Sequence, residues 1–233
     1  MRDASGRVMA ALASAACLAV VVLAIFRIQA ELTRPPSPAE WRDAMAVELA
    51  NRWQHRPVGT IFPDTLGYAP DLGGTETATR VGIGPTSDCP AAFDEALNAL
   101  LKGCQGALRA TYLDQTQGLV ITVGLAAFPD PPAAERALKA VPTEGHASPG
   151  PHALGFPGSV VARFTDTTRQ ASAFRRAGPY LAVTSTGYTD GRTGRAKQKQ
   201  PDLFTVAPQL AEQILDRLTA PLAPSCRITE YRC

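Results

Sequence analysis

The chain has 233 residues, 45% hydrophobic and 19% charged, with 23 Lys and Arg against 21 Asp and Glu for a formal net charge of +2. That balance excludes a strong basic footprint for nucleic acid. Less an apolar N-terminal run and a linker, about 175 residues remain, enough for one domain with a real core.

The run is Val8–Phe26, VMAALASAACLAVVVLAIF, without a charge. As a helix it reaches roughly 28 Å, close to the hydrocarbon thickness of a bilayer. Arg2, Arg7 and the amino terminus precede it, and Arg27, Glu31 and Arg34 follow, a slight bias for the N-terminus inside. The expected organisation is a cytoplasmic tail over 1–7 and a transmembrane anchor over 8–28. A linker with a juxtamembrane amphipathic helix follows over 29–57, then an extracytoplasmic domain over 58–233. A cleaved signal peptide is the rival, but Ile28-Gln29-Ala30 is a poor cleavage site. A lipoprotein reading at Cys17 meets the most apolar residues of the chain just after the cysteine. In every case the bulk of the protein leaves the cytoplasm.

After Pro35-Pro36, Ser37-Pro38-Ala39-Glu40 has the form of a capping box with proline at the first helical position. Trp41, Met45, Leu49 and Trp53 follow in steps of four and predict an amphipathic helix over 38–54. The tryptophans either lie at a membrane interface or dock on the domain. Residues 58–68, broken by Pro63, predict an edge strand or an extended entry, 69–78 a loop and 79–84 a short strand. Phe93, Ala96, Leu97, Leu100 and Leu101 have helical spacing, with Gly103 as a stop. Residues 107–114 and 119–128 predict a hairpin with its turn at 114–118. Asp130 caps a helix that begins at Pro131, and 142–158 read as a loop. Strands are predicted at 159–165, 171–177 and 180–188, and a polar loop at 190–200. The last helix, about 203–219, carries Ala207, Leu210, Ala211, Ile214, Leu215 and Leu218 on one face. Hairpin then helix occurs twice, a weak internal ββα repeat. The expected fold is α+β, an antiparallel sheet with helices on one face and the other left to solvent or a partner.

Four of the five cysteines, Cys89, Cys104, Cys226 and Cys233, lie beyond the apolar run and allow three pairings. With no CxxC and no neighbouring His, disulfides outweigh zinc. One helix over 90–102 would hold Cys89 and Cys104 roughly 20 Å apart, too far to bridge. If Asp94 caps a helix starting at Glu95, residues 89–94 fold back alongside it and the two cysteines meet. Cys226 and Cys233 then pair across a turn at Thr229-Glu230, or else staple the tail to Cys89 or Cys104.

GxSxG, HExxH, GxGxxG and the P-loop pattern are absent. His146 and His152 share a Gly/Pro-rich loop with Glu144 nearby, too few ligands for a metal and more simply a solvated loop. Tyr112 with Asp114 and Tyr188 with Asp190 suggest paired sites, although aspartates at strand ends are ordinarily turn formers. The most suggestive polar feature is basic: Arg169, Arg175 and Arg176 beside one strand, and Arg192, Arg195, Lys197 and Lys199 in the loop after the next. Such a face suits anionic lipid headgroups or wall polymers; the plainer reading is a solubilising loop and a charge-protected edge.

The anchor, the cysteine pair around an Ala/Leu helix, and the stretches LRATYLD, TVGLAAF and GPYLAVTSTGYTDGR resemble single-anchor exported envelope proteins of actinomycetes. The resemblance carries over no functional residue. It implies a single-pass protein of the cell membrane with its C-terminal domain outside. The expected function is a non-enzymatic binding module of the envelope, with no cofactor. Its partners are the bilayer through 8–28 and another membrane or envelope protein or an anionic polymer. The alternatives are a small-ligand sensor, with a pocket between sheet and helices, and a membrane-anchored hydrolase. The hydrolase needs a histidine that meets a carboxylate and a hydroxyl.

Overall fold

The computed structural model describes residues 2–71, 73–142, 144–193 and 201–222, with backbone alone for 2–11 and 201–204. Residues 45–223 form one compact unit, and residues 1–44 belong to another. In the N-terminal unit, the first in chain order, α1 (Arg2–Thr33) contains Leu12–Thr33, a segment long and apolar enough to cross a membrane and with no buried residue. Leu18, Leu23, Phe26 and Ile28 on it are exposed. Next, α2 (Pro38–His55) starts at the expected capping box. Glu40 N donates to Ser37 Oγ at 3.3 Å, and Ser37 N donates to a Glu40 carboxylate oxygen at 2.7 Å.

Within the second unit, Ala50, Arg52 and Trp53 of α2 are buried. Arg52 donates to the carbonyls of Leu218 (2.7 Å) and Ala220 (2.8 Å). It thereby satisfies helix-end acceptors that have no partner within their own helix. The region read as one edge strand over 58–68 divides at Pro63 into a single turn, α3 (Val58–Ile61), and β1 (Thr65–Tyr68). Then come β2 (Glu76–Ile83), α4 (Cys89–Ala92), α5 (Glu95–Asn98), the hairpin β3 (Gly106–Leu113) and β4 (Leu119–Ala127), and α6 (Pro131–Ala140). The second hairpin is β5 (Arg169–Ala177) and β6 (Tyr180–Tyr188), followed by α7 (Pro201–Thr219). Asp88, Asp94 and Asp130 each accept a backbone N–H at a helix start. The break at Phe93–Asp94 brings Cys89 and Cys104 to a Cα separation of 6.3 Å, where they form a disulfide.

The sheet is antiparallel in the order β1-β2-β3-β4-β6-β5. It curls around α7, which packs on both edge strands, β1 and β5. Both edges are capped, by side chains and at β5 also by a backbone N–H, which blunts the strand-pairing hazard. Gln209 and Gln213 of α7 bond Ala69 and Gly67 at the β1 edge. At β5, Gly145 N donates to Ser172 O at 2.9 Å, and Phe174 N donates to the Glu144 carboxylate at 3.0 Å.

The expectation of helices on one face is corrected: both faces are covered. Leu108, Tyr112, Ile121, Val123, Leu125 and Tyr180 point to α7. Phe128, Leu181 and Val183 point the other way, into α4, α5 and α6. The helices of the two ββα units therefore fall on opposite faces. The predicted strand at 159–165 is also absent. Val161 and Phe164 are buried while Val160 is 54% exposed, a spacing of three that matches the turn bonds Ala162 N to Ser159 O and Phe164 N to Val161 O.

Candidate functional site

At one end of the sheet, the β1–β2 connection, the β3–β4 turn, the end of β6 and the first half of α7 enclose a cleft of about 630 Å³. One wall is the start of the β1–β2 pairing, where Tyr68 stands directly opposite Glu76. The Tyr68 hydroxyl donates to the Glu76 carboxylate and accepts the Gln115 N–H at 3.2 Å. Burial, then the bond to Glu76, pushes that phenol well above its ordinary pKa. The floor is the β3–β4 turn. Asp114 is only 6% exposed. It accepts Leu119 N at 2.7 Å and the amide and hydroxyl of Thr116. It shapes the turn, in which Gln117 takes φ 57°.

The other wall is Tyr188, Thr189, Asp190 and Arg192. The Arg192 guanidinium carbon lies 4.2 Å from the centre of the Tyr188 ring. Its nitrogens also bond Asp190, one of them at 2.8 Å. This pairing holds the Asp190 carboxyl below the ordinary value and raises the Arg192 guanidinium above it. The described lining thus holds three carboxylates and one cation. A second hollow, of about 390 Å³, lies beyond Thr189 and Asp190 and is bordered by Ser159, Val160 and Arg163.

Of the two Tyr/Asp pairs singled out in the sequence, Asp114, Tyr188 and Asp190 meet in this cleft. Tyr112 does not; its hydroxyl donates to Pro63 O at 3.0 Å. Tyr68 and Glu76 were missed because 69–78 read as one loop. The signal was the alternation of TLGY and ETATRV around a Gly-rich connection, a hairpin that sets the two residues face to face.

Among the described residues, the arginines of the basic face are tied up. Arg169 is a correction: it is buried rather than surface-facing, because its charge pairs with Asp94 at 2.9 Å and it donates to Pro151 O at 3.1 Å. Arg175 bonds Glu144 and Glu212, Arg176 donates to Gly178 O at 3.0 Å, and Arg192 is held by Asp190. Arg195, Lys197, Lys199, Cys226 and Cys233 lie outside the described residues.

His152 bonds Asp166 through Nδ1. The Asp166 carboxyl is raised by burial but lowered more by the Ala153 N–H, His152 and Arg169, and ends below its ordinary value. No hydroxyl or thiol bonds that imidazole among the described residues. Among them, too, no three His, Cys, Asp or Glu side chains gather to hold a metal. Comparison with family models, with curated proteins and with solved structures gives no match.

Proposed function

We propose that the protein is a non-enzymatic binding module, held in the cell membrane by α1 with its α+β domain outside, and that the end-of-sheet cleft is where it binds. The observation that carries the binding reading is the cleft itself. Its volume falls in the range of small-molecule sites, and it lies between sheet and helix with a few convergent polar groups. The length and apolar character of Leu12–Thr33 support the anchor, and the Cys89–Cys104 disulfide suits an oxidising compartment. This reading favours the sensor form of the module over binding to an anionic surface, since the described arginines of that face are engaged within the domain.

Alkaline carbonate extraction and proteolysis of intact spheroplasts test the placement. The chain is expected to stay in the membrane pellet and to lose its domain to external protease. Release into the soluble fraction, or protection from protease, overturns the placement. Among the described residues, the His152–Asp166 pair is the observation that favours a hydrolase. Labelling by a fluorophosphonate probe that disappears in His152→Gln would establish that reading, and no labelling would discard it.

A further inference from the structure

We propose that the cleft takes a small organic cation, an ammonium or guanidinium group on an aliphatic chain, with Glu76 and Asp114 as its counter-charges. This deepens the reading of the cleft as a ligand site and rests on it. The argument compares the two walls, each built from a tyrosine and a carboxylate. On one, Tyr188 and Asp190 hold a guanidinium that the chain itself supplies. Arg192 lies 4.2 Å from the ring centre and bonds the carboxylate at 2.8 Å. That wall shows what the lining chemistry binds: a delocalised cation between a ring and an anion.

The other wall has the same kinds of groups and more negative charge. Tyr68 bonds Glu76, and the Tyr68 hydroxyl also takes the N–H of Gln115, the residue after Asp114. Among the described residues no cationic side chain pairs with Glu76 or with Asp114. Asp114 is more than nine-tenths buried, and its three donors are neutral amides and a hydroxyl. They orient the carboxylate without cancelling its charge. A cation entering the cleft meets that charge where water screens it least. An anion would meet two uncompensated carboxylates, with the one described guanidinium already bound to Asp190. Burial raises the Tyr68 phenol most and its bond to Glu76 next, with the charges of Glu76 and Asp114 adding in the same direction.

The test is titration calorimetry on the full chain in detergent at low salt. Three probes of equal chain length are used: 1,5-diaminopentane, 1,5-pentanediol and glutarate. The expected result is saturable binding of the diamine, weakened at least tenfold in Glu76→Gln. Binding should be unchanged in Glu135→Gln, a carboxylate on α6 paired with Lys139. Glutamine keeps an acceptor for the Tyr68 hydroxyl, so the fold is retained, and equal melting temperatures check it. Diamine binding that Glu76→Gln leaves unaltered overturns the proposal. So does binding of the diol or glutarate in place of the diamine; if Thr189→Trp abolishes that binding, the cleft remains the ligand site with a different ligand class. Failure of all three probes overturns the cation site and counts against the cleft as well.

Discussion

The two faces of the sheet are covered by different physics. Against α7, Val206, Ala207, Leu210, Ala211, Ile214, Leu215 and Leu218 join the inward residues of the strands in one continuous apolar core. On the opposite face the apolar residues split into a cluster around Phe93, Phe128 and Leu181 and another around Val120 and Phe164. Between them the sheet presents Thr111, Thr122, Ser172 and Ser185, and the cover is an irregular segment over about 144–165. A segment without a ladder of its own must satisfy its backbone groups elsewhere. Here it does so on the hydroxyls of the sheet. Thr111 donates to Leu154 O at 2.7 Å, Leu154 N to Thr122 Oγ1 at 3.1 Å, and Ser185 to Pro151 O at 2.9 Å. Apolar burial is non-directional and tolerates many sequences; polar pins require particular residues.

The strongest pin is the buried pair of Arg169 and Asp94. Asp94 also caps α5 and accepts Ser148 Oγ at 2.9 Å and Gly150 N at 3.1 Å. Asp94→Ala takes from buried Arg169 its nearest counter-charge and leaves only Asp166, at 3.7 Å and half-exposed, and is expected to cost about 3–5 kcal/mol in urea unfolding. Hydrogen exchange should rise at Leu97 and Gly150 while α7 stays protected. A loss under about 1 kcal/mol would show that this face does not depend on its polar pins. Next in size is reduction of Cys89–Cys104, which closes a loop of 15 residues on the same face. Reduction is expected to remove about 3 kcal/mol on the chain-entropy estimate. A Cys89→Ser, Cys104→Ser variant as stable as the oxidised chain would sink that expectation.

The contrast explains what was legible in the sequence. The face of α7 was visible because Ala207, Leu210, Ala211, Ile214, Leu215 and Leu218 repeat at helical spacing. The hairpins were visible because Tyr112, Val120, Ile121, Val123 and Leu125 are strand formers around a turn. The second covered face was not read, although two signals for it were present. LVITVGLAA in β4 is a near-continuous apolar run, the mark of a strand buried on both sides. Gly124 and Gly187 interrupt β4 and β6 where Phe93 and Phe164 come against the backbone. No local rule foretells where 144–165 meets the sheet, because the bonds of Pro151 and Leu154 to Thr111, Thr122 and Ser185 are all long-range. The cleft shared this fate: Asp114 and Asp190 were noticed for their turn chemistry, but only the β4–β6 register joins them.

Gly124 gives a smaller and sharper test. A Cβ there would stand 2.8 Å from a ring carbon of Phe93 and 3.0 Å from Cβ of Pro151. Gly124→Ala is expected to cost about 1–3 kcal/mol through overpacking. Gly118→Ala, where the nearest atom is Thr116 Oγ1 at 3.4 Å, should cost far less. Equal melting temperatures for the two variants would mean that the cover over β4 yields freely.

The smallest effect is a matter of pH. Asp166 fastens the second face at its rim: its carboxylate accepts Ala153 N at 2.7 Å, bonds the ring of His152, and lies 3.7 Å from Arg169 Nε. Burial raises the carboxyl, the three partners lower it more, and its folded pKa lies below the ordinary 3.8. A depressed carboxyl contributes stability that is present above the unfolded value and lost as pH falls through the folded one. The contribution should therefore be full at pH 6, begin to fall near pH 4, and vanish only as the pH passes below the depressed folded value. The side chain is 41% exposed, so solvent screening holds the effect below about 1 kcal/mol. Because every carboxylate titrates in this range, the measurement is the difference between the wild type and Asp166→Asn, by urea unfolding from pH 6 to pH 3. The variant should be the less stable at pH 6, and the gap should close on acidification. A gap that stays constant would mean that the rim is held by the shape of the side chain rather than by its charge. In that case the contrast between an apolar face and a charged one would end at Asp94 and Arg169.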